Sequence, residues 1–415
     1  MLDRRAFLAL SSGLLVPRRL YADTGENDRT FLFIFCAGGW DQTTVFAPLF
    51  DSPHVDMEAD AQPGQAGGIT FVDREDRPEV RAFFETYGAQ TCLLNGFEVQ
   101  AVAHERCTEL LLTGTGEVGA DDWATTLAGH GASGLLMPHV VVSGPVFAGD
   151  YASKVVRVGS AGQLPDLVSG AVFTQADQPV AAPASEALLD ARVRERAAQW
   201  KAGAGWPERF AERYATALDQ IEEISAYTDL LREDVQPDQA RDLLQELALA
   251  LASFENGLCR CATVQYDGIW GIGWDTHAKN EYQNLHFEEL FGYLNRLMVE
   301  LAARTGPGGR PLTETVTVVV LSEMGRTPLL NNWGGKHHWT STSALIIGAG
   351  VRGGQVVGGY DELCLGLPVD LDTGETDDAG TELRASHLGA TLLALGGVDP
   401  GEAVPGVPPI TAILA

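Results

Sequence analysis

The stretch "TVTVVVLSEMGR", Thr315–Arg326, decides the fold. Its first part is apolar on both faces and rich in β-branched side chains, the pattern of a parallel strand covered by helices on each side. It then runs directly into Glu323. A carboxylate leaving a buried strand is costly unless it is paired or coordinated. Arg326 offers the pairing and a cation the coordination, and the residues alone leave both open.

Working outward, five more short runs read as buried strands: "TFLFIFC" (Thr30–Cys36), "TCLLNG" (Thr91–Gly96), "HVVVSG" (His139–Gly144), "YDGIWGIG" (Tyr266–Gly273) and "SALIIGAG" (Ser343–Gly350). Helical patterns lie between them at Ser185–Lys201, Pro207–Leu231 and Asp238–Ala262. The last places Leu244, Leu247 and Leu251 on one face after an acidic start. Alternation of strand and helix predicts an α/β fold with a central, mostly parallel sheet and helices on both faces. A chain of 415 residues suffices for one large α/β domain with insertions or for two ordinary domains.

The N-terminus is set apart from the fold. "MLDRRAFLALSSGLLVPRRLYA" has Arg4-Arg5, an apolar run from Ala6 to Val16 and a small-residue exit at Ala22. These are the parts of an export signal. The run is too short for a membrane span, and paired arginines before Ala-Phe-Leu point to the twin-arginine pathway and its translocation machinery. A retained anchor or amphipathic helix is the alternative. The expectation is a periplasmic or extracellular protein with no membrane span after processing. Removing residues 1–22 takes away four arginines and one aspartate, which moves the net charge from −28 to −31. Such acidity argues against nucleic acid as a partner. The six cysteines form no CxxC and read mostly as small buried residues.

Open α/β sheets place ligand sites beyond the carboxyl ends of their strands. Asp41 follows the first run through Gly38-Gly39-Trp40. His104 follows the second, Asp275 and His277 follow "GIWGIGW", and Glu323 is succeeded by Arg326, Lys336, His337 and His338. If the strand continued through Thr276, Asp275 and His277 would point to one face and reach one ion. Asp41 is equally suited to capping the next helix, while its two preceding glycines permit close approach of a ligand. Mixed carboxylate and imidazole donors suit zinc, manganese or iron better than calcium. HExxH, Walker A and G-x-S-x-G patterns are absent.

The ordered set "RRAFL … GGWD … AHERCTELLLTG … GWDTHAKN … SEMGRTP … KHHW … HLGATLLALGGVD" resembles the domain-of-unknown-function 1501 family, placed by resemblance in the alkaline phosphatase and sulfatase superfamily. The match runs through nearly the whole chain after residue 22, with Thr174–Gln236 least covered. The resemblance implies a three-layer, doubly wound α/β/α domain over residues 23–415, with a helical insertion around 183–262. It also implies one or two divalent ions, zinc or manganese, held by Asp41, Asp275, His277, Glu323 and His338. Counted back from Leu111-Leu112-Thr113-Gly114, the nucleophile position of the superfamily falls on His104, as nucleophile, base or ligand. The Cys-x-Pro-x-Arg maturation pattern of sulfatases is missing, and Cys107 is a second candidate nucleophile. Met324 stands where relatives often carry a further ligand.

The expected function is therefore an exported, metal-dependent hydrolase of phosphate or sulfate esters. Its substrate would be a small-molecule or glycan anionic ester, with Arg106, Arg326 or Lys336 holding the anionic group. The alternative is a non-catalytic exported scaffold or binding protein of the same fold, acting in cell-envelope assembly.

Overall fold

The run Thr30–Cys36 forms β1, which lies inside an eight-stranded sheet. The computed structural model describes residues 29–131, 134–158, 183–202, 223–224, 226–227 and 243–415. After β1 come α1 (Gln42–Val45), the hairpin β2 (Gln62–Ala66) and β3 (Ile69–Asp73), α2 (Pro78–Tyr87), β4 (Thr91–Glu98), α3 (His104–Thr113) and α4 (Trp123–Gly129). Then follow β5 (His139–Val141), β6 (Val155–Arg157), α5 (Pro183–Ala202), α6 (Leu243–Glu255), β7 (Cys261–Tyr266) and α7 (Glu281–Ala303). The chain closes with β8 (Val316–Leu321), β9 (Gly325–Arg326), β10 (His338–Trp339), β11 (Ser341–Gly348), β12 (Gln355–Gly358), α8 (Ala385–Leu395) and α9 (Pro400–Ala403).

The strand order is β12-β4-β11-β8-β1-β7-β5-β6. Every neighbouring pair is parallel except those made by β11, which runs antiparallel to both β4 and β8. Side chains alternate along a strand, and β1 shows the consequence. Leu32, Ile34 and Cys36 enter one core with Phe83 of α2, Leu247 of α6 and Phe287 and Leu294 of α7. Phe31, Phe33 and Phe35 enter the other with Leu111 of α3, Leu127 of α4 and Leu388 of α8. Two cores, one on each face, make this a three-layer α/β/α fold with a mostly parallel sheet. The C-terminal ends of β1, β4, β7 and β8 share one edge, since all four run the same way.

Two sequence expectations need correction. "YDGIWGIG" is not one strand: β7 ends at Tyr266, and Ile269–Gly271 forms a 3-10 turn. Gly268 and Gly273, both at φ 79, break the extended run. The helix expected to reach Ala262 stops at Glu255, because Gly257 at φ 63 supplies the left-handed residue that ends helices and frees the chain for β7. β11 is the antiparallel strand of the mostly parallel sheet. The closing part of the expected 183–262 insertion thus belongs to the layers, with α6 in the core and β7 paired to β1. Most of the helix expected at Pro207–Leu231, and the export signal at 1–22, lie outside the described residues. No helix among the described residues is long and apolar enough to cross a membrane.

A candidate His-Asp-His metal centre

Four strands deliver the site. β1 ends in Ala37-Gly38-Gly39, and Gly38 adopts φ 126, open to glycine. A Cβ there would lie 2.7 Å from the backbone nitrogen of Asp275, so the small residue lets the loop after β7 pack directly on the loop after β1. The glycine pair therefore serves chain packing: Gly39 is approached by Met324, whose Cγ would stand 2.8 Å from an added Cβ.

Asp275 and His277 do not share a strand. Thr276 N donates to Trp274 O at 2.9 Å and His277 N to Asp275 O at 3.1 Å, which winds the segment tightly. The two side chains still meet, with His277 Nε2 3.2 Å from Asp275 Oδ1.

His104 opens α3 just past β4. Its Nδ1 lies 2.7 Å from Glu323 Oε1. Its Nε2 is sealed from solvent and makes no hydrogen bond; Asp275 Oδ2 stands 3.4 Å away. The Asp275 and Glu323 carboxylates beside it push the imidazole up to about 9, against the opposing effect of burial. His338 comes from β10. Its Nδ1 lies 2.6 Å from the carbonyl of Val102, so that nitrogen carries the proton and Nε2 presents a lone pair 3.2 Å from Asp275 Oδ1. His277 Nε2 lies 2.9 Å from the same His338 Nε2.

His104, Asp275 and His338 each offer one donor atom, and these atoms lie within 4.8 Å of one another. These atoms face one point, which the proton that the two carboxylates favour on His104 occupies until a metal cation displaces it. The donor set, two imidazoles and a carboxylate, fits a transition-metal or zinc ion. Burial pushes the Asp275 carboxyl up, but the neighbouring His104, Arg326 guanidinium and His338 prevail and hold it well below the usual carboxylate range.

The remaining expected residues take other places. Glu323 is turned inward: its carboxylate accepts from Gly38 N at 2.8 Å and from Ser322 Oγ at 3.1 Å, behind His104. Arg326 is fully buried and donates from Nε to Gly39 O at 2.8 Å, from Nη1 to Lys336 O at 3.2 Å, and from Nη2 to Gly38 O, to Trp274 O and to Asp275 Oδ1 at 2.6 Å. It holds loops together and keeps Asp275 ionised. Asp41 caps α1, accepts from Thr43 N at 3.0 Å and from Asn280 Nδ2 at 2.7 Å, and pairs with Lys336 Nζ at 2.9 Å in a buried contact. Lys336 holds its carboxyl below the ordinary value despite burial. Arg106 pairs with Glu109, a wall of the cleft, at 2.6 Å. His337 is exposed beside His277, with Nδ1 atoms 3.3 Å apart. The Cys107 thiol is buried and pushed up to about 12, mainly by that burial, so no nucleophile arises there at neutral pH.

A cleft of about 720 Å³ opens over the group. Beyond His104 and Asp275 its walls include Glu105, Thr108, Glu109 and Phe147. Thr108, one turn after His104 on the same helical face, was legible from its i+4 spacing. The roles of Gly38 N and the Val102 carbonyl were not, since backbone groups carry no residue-type signal.

The fold and donor set define an α/β/α protein with a candidate metal centre at the carboxyl edge of its sheet. The chain belongs to the family described as "Protein of unknown function (DUF1501)", whose profile matches residues 28–404. No curated protein matches it. Similar solved structures include a protein in the alkaline phosphatase superfamily from Vibrio parahaemolyticus, with TM-score 0.38 and 10% identity over 92% of this chain and 69% of that one. A Bacteroides thetaiotaomicron structure reported for the metabolism of multiple glycosaminoglycans has TM-score 0.35 and 10% identity, covering 91% and 74%. A sulfatase from Pseudoalteromonas sp. has TM-score 0.35 and 10% identity, covering 89% and 68%.

Proposed function

We propose that this is an exported, metal-dependent hydrolase of phosphate or sulfate esters, with His104, Asp275 and His338 as the ligands of a zinc or manganese ion. One observation carries the reading. The two imidazoles turn Nε2 toward Asp275 while their Nδ1 atoms are engaged elsewhere, by Glu323 and by the Val102 carbonyl. Such outer partners fix the tautomer and aim of metal-binding histidines.

A bound divalent ion would supply positive charge that polarises an ester oxygen and makes nearby water more acidic. This chain's residues do the rest. Glu323 and the Val102 carbonyl hold the two rings in place. Arg326 keeps Asp275 ionised and fixed. His277 Nε2, within reach of both Asp275 and His338, is placed to hold or release a proton; burial holds that imidazole below its ordinary value, so it is neutral at pH 7. Thr108 is the hydroxyl of the cleft closest in sequence to His104.

Export by the twin-arginine machinery is part of the same proposal. It is supported by Arg4-Arg5 and by six buried, unpaired cysteines, the state expected of a protein that folds in a reducing compartment before transport. The scaffold reading has an observation of its own. The cleft is walled by Glu105, Glu109, Asp275 and Glu323, while Arg106, Arg326 and Lys336 are all engaged by protein groups. An anionic ester would thus rely on the ion for its charge partner.

Elemental analysis followed by an aryl phosphate and sulfate ester panel tests both readings. Zinc or manganese near one ion per chain, lost in His338→Ala together with turnover, supports the hydrolase. A metal-free, inactive and equally stable protein supports the scaffold.

A further inference from the structure

Among the described residues two tryptophans are largely exposed, Trp270 at 83% and Trp333 at 71%, whereas Trp40, Trp123 and Trp274 are buried. Trp270 is also held at φ 51, a left-handed backbone that a bulky side chain disfavours. His286 imposes this geometry by gripping both flanks of the tip. Its Nδ1 accepts from Ile269 N and its Nε2 lies against Gly273 O, each at 3.0 Å. The Trp333 loop is pinned to the start of the same helix, with Asn280 N donating to Gly334 O at 2.8 Å. Residues 280 and 286 lie about 9 Å apart along the axis of α7, so the loops that carry the two tryptophans are both tied to its first turns. Ile272 and Leu285, both exposed, lie in the same region. Across the site Val102, also exposed, stands two residues before His104, and its carbonyl faces His338. The loops that carry His104, Asp275 and His338 therefore also carry an apolar rim.

We propose that this rim seats the protein on an electrically neutral, zwitterionic lipid surface, with the His104–Asp275–His338 edge facing the headgroups. Tryptophan has an apolar body and a polar N–H, and it gathers at membrane-water interfaces for that reason. Charge narrows the occupant. At −28 the chain repels both anionic lipid and a second copy of itself, and a net-neutral surface opposes it least. The inference stands on exposure, backbone geometry and charge, and does not require the site to be catalytic.

The test is partition of the full chain into phosphatidylcholine vesicles, read by co-sedimentation and by quenching of tryptophan fluorescence with brominated phosphatidylcholine. The wild-type chain and a Trp270→Ala/Trp333→Ala variant share the same N-terminal 22 residues, which contain no tryptophan. Their apolar run thus contributes equally to both. The expected result is a partition coefficient at least about tenfold lower in the variant, with unchanged circular dichroism and loss of the bromine-quenched component. Equal partition by both chains overturns the proposal, as does no binding by the wild type. A concentration-dependent dimer that the double substitution abolishes also overturns it, by assigning the rim to a second copy. Ester hydrolysis in solution is measured separately, so failure of the lipid proposal and failure of the hydrolase reading are distinct outcomes.

Discussion

The Nδ1 atom of His104 lies 2.7 Å from Oε1 of Glu323, and the two residues are 219 positions apart in the chain. The contact joins the start of α3 to the end of β8. It turns Nε2 of His104 toward Asp275, and it places Glu323 behind the ligands. Metal affinity is therefore expected to depend on a carboxylate that need not touch the ion. Glu323→Gln keeps an acceptor for His104 but loses the charge, and should weaken zinc or manganese binding about 10–100-fold. Isothermal titration calorimetry of the metal-stripped protein checks this. Affinity equal to wild type would detach Glu323 from the site.

Arg326 is expected to matter for stability before it matters for any ligand. Its donors are spent on Gly38, Gly39, Trp274, Asp275 and Lys336. Arg326→Met should destabilise by about 3–5 kcal/mol in denaturant unfolding, because buried carbonyls and Asp275 lose their partner. Arg106→Ala, which removes a solvent-exposed pair with Glu109, should cost at most about 1 kcal/mol. Comparable losses would contradict these placements.

The Asp41–Lys336 contact gives a double-mutant test. Lys336→Met alone leaves Asp41 buried and uncompensated, at an expected cost of about 3–5 kcal/mol. Adding Asp41→Asn should recover part of that loss, with a coupling of at least about 1 kcal/mol. Additive losses would mean that the pair is not formed.

Acid should destabilise the fold through buried neutral histidines. Burial lowers His139 to about 3 and His286 to about 4 from an ordinary 6.5. Between those values the unfolded chain binds protons that the folded one does not, so stability is full above about pH 6.5 and falls as pH drops toward 4. Each histidine contributes a slope of about 1.4 kcal/mol per pH unit in that window. Replacing His139 by Gln, whose amide can serve the flanking hydroxyls of Thr125 and Thr263, should remove its share of the slope and leave that of His286. An unchanged slope in unfolding measured from pH 7 to pH 4 would show that His139 does not titrate on unfolding.

Leu247 and Leu251, on the face of α6 turned to the sheet, should each cost about 2–5 kcal/mol when truncated to Ala. Smaller losses in thermal unfolding would mean that this face is solvent-accessible.

The sequence by itself determined the layers. β-branched runs apolar on both faces must be covered twice, and helical periods between them supply the cover. Local pattern also determined that acids and histidines gather at strand ends, because strands stop where buried polar groups become affordable. It did not determine which of them meet. Asp41 and Asp275 both follow apolar runs, yet one pairs with Lys336 and caps a helix while the other faces two imidazoles. The difference lies in how the loops cross: Gly38 at φ 126 brings the backbone of Asp275 against the end of β1, and Gly268 and Gly273 turn the chain out of β7 before Asp275. Glu323 and His104 likewise found each other only once β4 and β8 were aligned through the antiparallel β11. Burial is a property of each segment and can be read along the chain. Convergence depends on strand register and on a few backbone angles, which only the folded arrangement sets.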